Sequence, residues 1–295
     1  MTKTKATVTV ENLHLRRGLP GDAPACGAIS YEAFRGIATT HNFPPDFPSV
    51  EFAVGILSYL LAREDVYPVV AEVDGQVVGS NFLWESAPVA GIGPIAVDPA
   101  IQSAAVGRRL MEHVLGRVEE GRFAGVRLVQ SAYNLRSFSL YAKLGFAVRE
   151  PLVALAGPAL DIAIESYRVR PMAEADLSAC NRLCRRVHGF ERRQDLLDGI
   201  AQGTAMVVEH GGRIAGYASG LNFFGHAVGE SNEALKALIG AAGGFEIPGF
   251  LLPTRNTELL QWCLHRGLRI SQPLTLMSQG LYSEPAAPFL PSILY

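Results

Sequence analysis

The chain has 295 residues, 48% of them hydrophobic and 18% charged, with a formal net charge of −2. That length suits two domains of ordinary size or one large one, and the apolar share demands a substantial core. Near-neutral charge excludes a nucleic-acid footprint, which needs a clustered basic face. The short basic groups Arg108-Arg109, Arg182 with Arg185-Arg186, and Arg192-Arg193 each sit beside acids. Cys26, Cys180, Cys184 and Cys263 have no histidine pair at metal-ligand spacing, so a reducing compartment and no metal are expected. Residues 1–10 read as a flexible polar tail without an apolar signal region, and no run of eighteen apolar residues occurs. The expectation is a cytoplasmic protein with no membrane partner.

In chain order, Leu13 to Arg17 alternates as a strand and ends at a turn whose Asp22 can cap the helix that follows from Ala23 to Phe34. His41 to Ser49 holds three prolines and cannot be regular. Phe43 and Phe47 in it read as a rigid connector or as one wall of a substrate pocket. A second helix spans Val50 to Leu61. Val66 to Glu72 and Gln76 to Trp84 flank Asp74-Gly75, a strong hairpin signal, and place Asn81 and Glu85 near the second strand's end. A strand over Gly91 to Val97 then breaks at Asp98-Pro99, passes through small residues, and opens an amphipathic helix with Val106, Leu110, Met111, Val114 and Val118 on one face. Unpaired N–H groups and the helix dipole make such a turn suit a phosphate, although an ordinary strand-to-helix connection reads the same way. A strand from Val126 to Ser131, a helix from Asn134 to Leu144 stopped by Gly145, and a strand from Phe146 to Ala156 interrupted at Pro151 complete the first part.

The chain then repeats itself. Leu13-His14-Leu15-Arg16 matches Tyr167-Arg168-Val169-Arg170, and Asp22 matches Asp176, both at an offset of 154. Glu72, Gly75 and Gly79 match Glu209, Gly212 and Gly216 at 137; Asn134 and Gly145 match Asn256 and Gly267 at 122. Three matches in order imply two like-folded copies. The fall in offset from 137 to 122 makes the second copy 15 residues shorter around the phosphate-like turn. There it carries Gly225 to Leu235, with no glutamine and no spaced glycine near the helix N-terminus, and Cys263 stands where the first copy has Tyr141.

Val97, Pro99, Gln102 and Gly107 before Leu110, and Asn134 before Leu140-Tyr141-Ala142-Lys143-Leu144-Gly145-Phe146, resemble the two signatures of the GNAT superfamily of acyl-CoA-dependent N-acyltransferases. The whole chain resembles a tandem GNAT protein with a degenerate second copy. The resemblance implies an α/β fold of two domains, each a mostly antiparallel mixed sheet flanked by helices with a splayed parallel strand pair. The expected bounds are 11–156 for the acyl-CoA-binding domain, 157–165 for a linker, 166–283 for the degenerate domain and 284–295 for an apolar tail.

The resemblance further implies acetyl-CoA as cofactor and a direct acetyl transfer to a primary amine through a tetrahedral intermediate. It places Ile95, Ala96 and Val97 on the pantetheine and thioester, and Gln102, Ser103, Ala104, Ala105, Val106, Gly107 and Arg108 on the pyrophosphate. Asn134 and Ser137 would serve the pantetheine arm, with Asn134 reading equally as a helix N-cap. Tyr141 would be the general acid, or else a core tyrosine. Glu85 is a candidate base and pocket residue, with His41, Glu32 and Asp46 as others by location. Phe43, Phe47 and Asn81 are candidate pocket residues. A glycine of the signature is replaced by Ala105, whose place at a helix start points to helical backbone there. The partner expected is a small-molecule amine, and the chain is expected to be a monomer or homodimer. Two other readings are a non-catalytic acyl-CoA sensor and a protein or peptide N-acetyltransferase.

Overall fold

A computed structural model describes residues 12–101 and 105–294. The N-terminal tail, Gln102, Ser103, Ala104 and Tyr295 lie outside the described residues. The chain forms two compact units. The first takes the residues up to Arg127 with Ser139–Gly145 and Leu294; the second takes Leu128–Phe138 and Phe146–Ile293.

In the first unit β1 (Leu13–Arg17) leads into α1 (Ala23–Thr40) and α2 (Val50–Leu61), then β2 (Val66–Val73), β3 (Gln76–Trp84), β4 (Val89–Ile92), β5 (Ala96–Val97), α3 (Val106–Glu120), β6 (Gly125–Ser131) and α4 (Leu135–Lys143). The strand order is β1-β2-β3-β4-β6, with β5 also on β3. The β2–β3 hairpin turns where both Asp74 (φ 51°) and Gly75 (φ 75°) are left-handed, the turn that matches strand twist. Ala23, Cys26, Leu57, Leu60, Val70 and Phe82 form a core between α1, α2 and the sheet, and Leu294 packs against it. Gly27 lets the two helices approach closely, since a Cβ there would lie 2.5 Å from Val54. α1 runs six residues beyond the expected Phe34.

The second unit continues with β7 (Ala147–Pro158), β8 (Tyr167–Pro171), α5 (Leu177–His188), α6 (Arg193–Ala201), β9 (Met206–His210), β10 (Arg213–Ala218), β11 (Ala227–Gly229), α7 (Asn232–Gly240), β12 (Gly244–Pro253), α8 (Thr257–His265), β13 (Arg269–Gly280) and β14 (Phe289–Leu290). Strands β8, β9, β10, β11 and β14 are successive antiparallel neighbours, and β7 pairs with both β12 and β13. The tail residues Phe289 and Leu290 thus add a strand to β11. β7, the closing strand of the first repeat, groups with the second unit, where both its partner strands lie. One sequence expectation is corrected: β7 is continuous through Pro151, whose carbonyl accepts the Thr254 N–H at 3.0 Å.

The duplication is visible in matched geometry. Arg16 binds Asp22 through Nη1 and Nη2 (both 2.8 Å) and Glu72 through Nε (2.9 Å). Arg170 binds Asp176 (2.7 and 2.8 Å) and Glu209 (2.8 Å) with the same atoms. In each unit the arginine holds its aspartate below the usual carboxylate range by hydrogen bonding. Gly75 and Gly212 have φ of 75° and 76°, Gly145 and Gly267 93° and 94°.

Candidate active site

The expected single strand over Gly91–Val97 is two short strands with a break. β3 pairs Leu83 with Ile92 and Ser80 with Ala96, which leaves Asn81 and Phe82 opposite three residues, Gly93, Pro94 and Ile95. This is a bulge, and Gly93-Pro94 in mid-strand was its legible signal. β4 runs parallel to β6 from Val89/Gly125 to Gly91/Arg127. Beyond the bulge, β5 pairs with β3. The Asp98 N–H donates to Val78 O at 2.9 Å, so the period-two alternation turns the backbone groups of Val97 away from β3.

β5 leads to the start of α3, where Ala105 is the N-cap residue. Its backbone is left-handed, φ 62° and ψ 4°, which corrects the expectation of a helical conformation. A left-handed N-cap lets the chain turn sharply into the helix, and it is the position for which glycine is suited. We predict that Ala105→Gly raises stability by about 0.5–1 kcal/mol, the relieved strain less the added freedom of the unfolded chain. A melting curve unchanged or lowered by the substitution would contradict this.

Alanine has no oxygen with which to cap the helix, and no acid stands in the first turn. The N–H groups of Val106, Gly107 and Arg108 therefore present the positive end of α3 uncapped by any side chain among the described residues. Gly107 brings the two sequence signatures together: a Cβ there would lie 3.7 Å from Leu140 on α4 and 3.8 Å from Val97 on β5. Arg108 pairs with Glu112 at 3.5 Å on the exposed face. Tyr141, beside Leu140 on α4, is buried, with 5% exposure.

In the second unit Asn134 accepts the Ser137 N–H at 3.2 Å through Oδ1, so it is the N-cap of α4. Asn256 repeats this at α8, accepting from Leu259 at 3.3 Å, and donates its Nδ2 to Asn232 at 2.8 Å. Asn232 in turn donates to Glu258 at 2.7 Å, and Lys236 pairs with Glu258 and Glu233. Ser231 caps α7 by accepting the Ala234 N–H at 3.3 Å, and Glu233 lies in the first turn. The α7 N-terminus is thus capped, acidic and bonded to the neighbouring helix, where a phosphate would meet like charge. Cys263, at the place of Tyr141, is fully buried among apolar groups, and burial pushes its thiol up to about 12.

Other candidates are placed elsewhere. Glu85 accepts from Arg117 at 2.8 and 3.2 Å, which holds it at the last turn of α3, the end opposite the uncapped N–H groups. Asn81 is fully buried: Oδ1 accepts the Phe82 N–H at 2.9 Å and Nδ2 points at Met111 Sδ, 3.6 Å away. Phe47 is buried in an edge contact with Phe34, ring centres 5.5 Å apart, while Phe43 is half-buried in the connector. Glu32 pairs with Arg35 on the surface, His41 is exposed at the end of α1, and Asp46 is half-buried in the connector. Among the described residues no cluster of His, Cys, Asp or Glu could hold a metal ion, and no helix is long and apolar enough to cross a membrane.

A mixed sheet with a parallel pair that ends at a bulge, and an uncapped helix start next to it, define the GNAT fold. Residues 34–146 match the sequence profile of the Acetyltransferase (GNAT) family. Over those residues the chain is similar to a family whose members are acetyltransferases that use acetyl-CoA. A solved protein of Pyrococcus horikoshii assigned as an acetyltransferase superposes over 97% of this chain and 95% of its own, with TM-score 0.71 and 18% identity. A GCN5-related N-acetyltransferase from Sphaerobacter thermophilus covers 94% and 98%, with TM-score 0.63 and 13% identity. A tandem GNAT protein of the clavulanic acid biosynthesis pathway covers 91% and 98%, at 0.56 and 14%. These likenesses show a GNAT fold. Comparison with the curated proteins finds no match.

Proposed function

We propose that this chain transfers an acetyl group from acetyl-CoA to a primary amine of a small molecule, using one coenzyme site in its first half. The observation that carries this reading is the start of α3, uncapped by any side chain among the described residues, free of acid, and next to β5 and α4. The corresponding start of α7 is capped and acidic, which supports a single site.

Coenzyme A, when bound, supplies the acetyl group as a thioester. The N–H groups of Val106, Gly107 and Arg108 hold its pyrophosphate, as helix N-termini hold anions generally. The backbone of Ile95 and Val97, at and just beyond the bulge, orients the pantetheine arm and polarises the thioester carbonyl. Tyr141 passes its proton to the departing thiolate; a phenol of pKa about 10 and a thiol of about 8.5 are close enough for that transfer.

The test is to incubate the full chain with acetyl-CoA and a panel of primary amines, following thiol release and the N-acetyl product by mass. Amine-dependent release with a matching small-molecule product supports the reading. Saturable acetyl-CoA binding without amine-dependent release would make the chain a sensor. Turnover confined to peptides would make it a peptide acetyltransferase.

A further inference from the structure

The bulge at Gly93–Ile95 is held by two side chains of β3 that the coenzyme-binding signatures do not include. Trp84, buried at 7% exposure, donates its indole Nε1–H to Gly93 O at 2.9 Å. The Gly93 N–H donates back to Phe82 O at 2.9 Å, so both polar groups of Gly93 are bound to β3. Asn81 takes the Phe82 N–H, at 2.9 Å, where the bulge interrupts the ladder, and reaches Met111 in the second turn of α3. The indole is itself fixed, with the Arg63 guanidinium 5.4 Å from the ring centre and Arg63 bound to Asp65 at 2.7 Å.

The second half provides an internal control. Tyr217 pairs with Val228 as Ser80 pairs with Ala96, so the offset is 137 on one strand and 132 on the other. Five of the fifteen missing residues are therefore lost between these strands. There β10 and β11 pair without a break through Gly216/Gly229, Tyr217/Val228 and Ala218/Ala227. At the offset of 137, Ala218 stands for Asn81 and Leu221 for Trp84. The bulge and both its clamps are absent from the half that also lacks the uncapped helix start and the tyrosine. A clamp needed only for folding would serve either sheet equally well.

We infer that Trp84 and Asn81 are positioning residues for acetyl transfer: they fix the bulge so that the backbone of Ile95 and Val97 is aimed at the thioester carbonyl. This rests on the proposed reading of the first half as an acetyl-CoA site. Each acts through the backbone, not by touching the coenzyme. A donor loosely aimed at the carbonyl still permits coenzyme binding through α3, but stabilises developing negative charge on oxygen less well.

The test uses acetyl-CoA labelled with carbon-13 at the carbonyl, and infrared difference spectra of the bound thioester. In the wild type a hydrogen-bonded carbonyl is expected to stretch at lower frequency than in water. Trp84→Phe, which keeps the ring and removes the N–H, should return the band toward its solution position and lower kcat at least about tenfold, with the dissociation constant of coenzyme A changed less than about twofold. Asn81→Leu, a variant of similar volume, should do the same by a separate route. If both folded variants keep the wild-type band and rate, the positioning role is wrong while the site stands. If the wild type binds acetyl-CoA with no band shift, the aim of the bulge is wrong. If the wild type binds no acetyl-CoA, the reading of the site itself falls, and the inference with it.

Discussion

Tyr141→Phe is expected to lower kcat by at least about a hundredfold, the usual contribution of a positioned general acid, while leaving acetyl-CoA affinity within about twofold. The side chain is buried on α4, whose Leu140 lies against Gly107 at the start of α3. Removing one hydroxyl from a packed ring changes little in the core. Its loss is felt when the thiolate leaves, because an unprotonated thiolate returns to the carbonyl. The effect should shrink as pH falls, since solvent then supplies the proton more readily. Pre-steady-state measurement of thiol release in the variant checks this, and a wild-type rate would assign Tyr141 to packing.

The second large effect concerns charge at the α3 N-terminus. Gly107→Glu is expected to weaken acetyl-CoA binding at least a hundredfold, about 2.7 kcal/mol, while leaving the melting temperature equal or higher. A Cβ at this position meets only ordinary van der Waals contacts, at 3.7 and 3.8 Å. A carboxylate in the first turn interacts favourably with the helix dipole. The same carboxylate faces a pyrophosphate across a few ångströms, where like charges repel by several kcal/mol at protein-surface screening. Stability and affinity thus move in opposite directions, which a simple packing defect would not produce. The second half already carries the arrangement in Glu233.

Much of this architecture was legible because it depends on local chemistry. Asp74-Gly75 specified its hairpin, α2 spans the expected Val50–Leu61, and the repeated Arg16, Asp22 and Glu72 turn out to form the same clamp in both units. What was not legible depends on pairing across strands. The destination of β7 is set by β12 and β13, more than eighty residues later, and no periodicity within β7 encodes it. Glu85 is joined to Arg117, thirty-two residues on, and no local pattern encodes that ion pair. Asn81 finds its backbone partner only at the bulge, which exists once β3, β4 and β5 are assembled. Ala105 misled for a related reason, because a helix start can be entered through either hand of backbone, and alanine favours the right.

The most direct test of one coenzyme site in the first half is a calorimetric titration of the full chain with acetyl-CoA, repeated with Gly107→Glu. One equivalent per chain is predicted, lost in the variant at concentrations that saturate the wild type. Two equivalents, or one equivalent that survives the substitution, would contradict it.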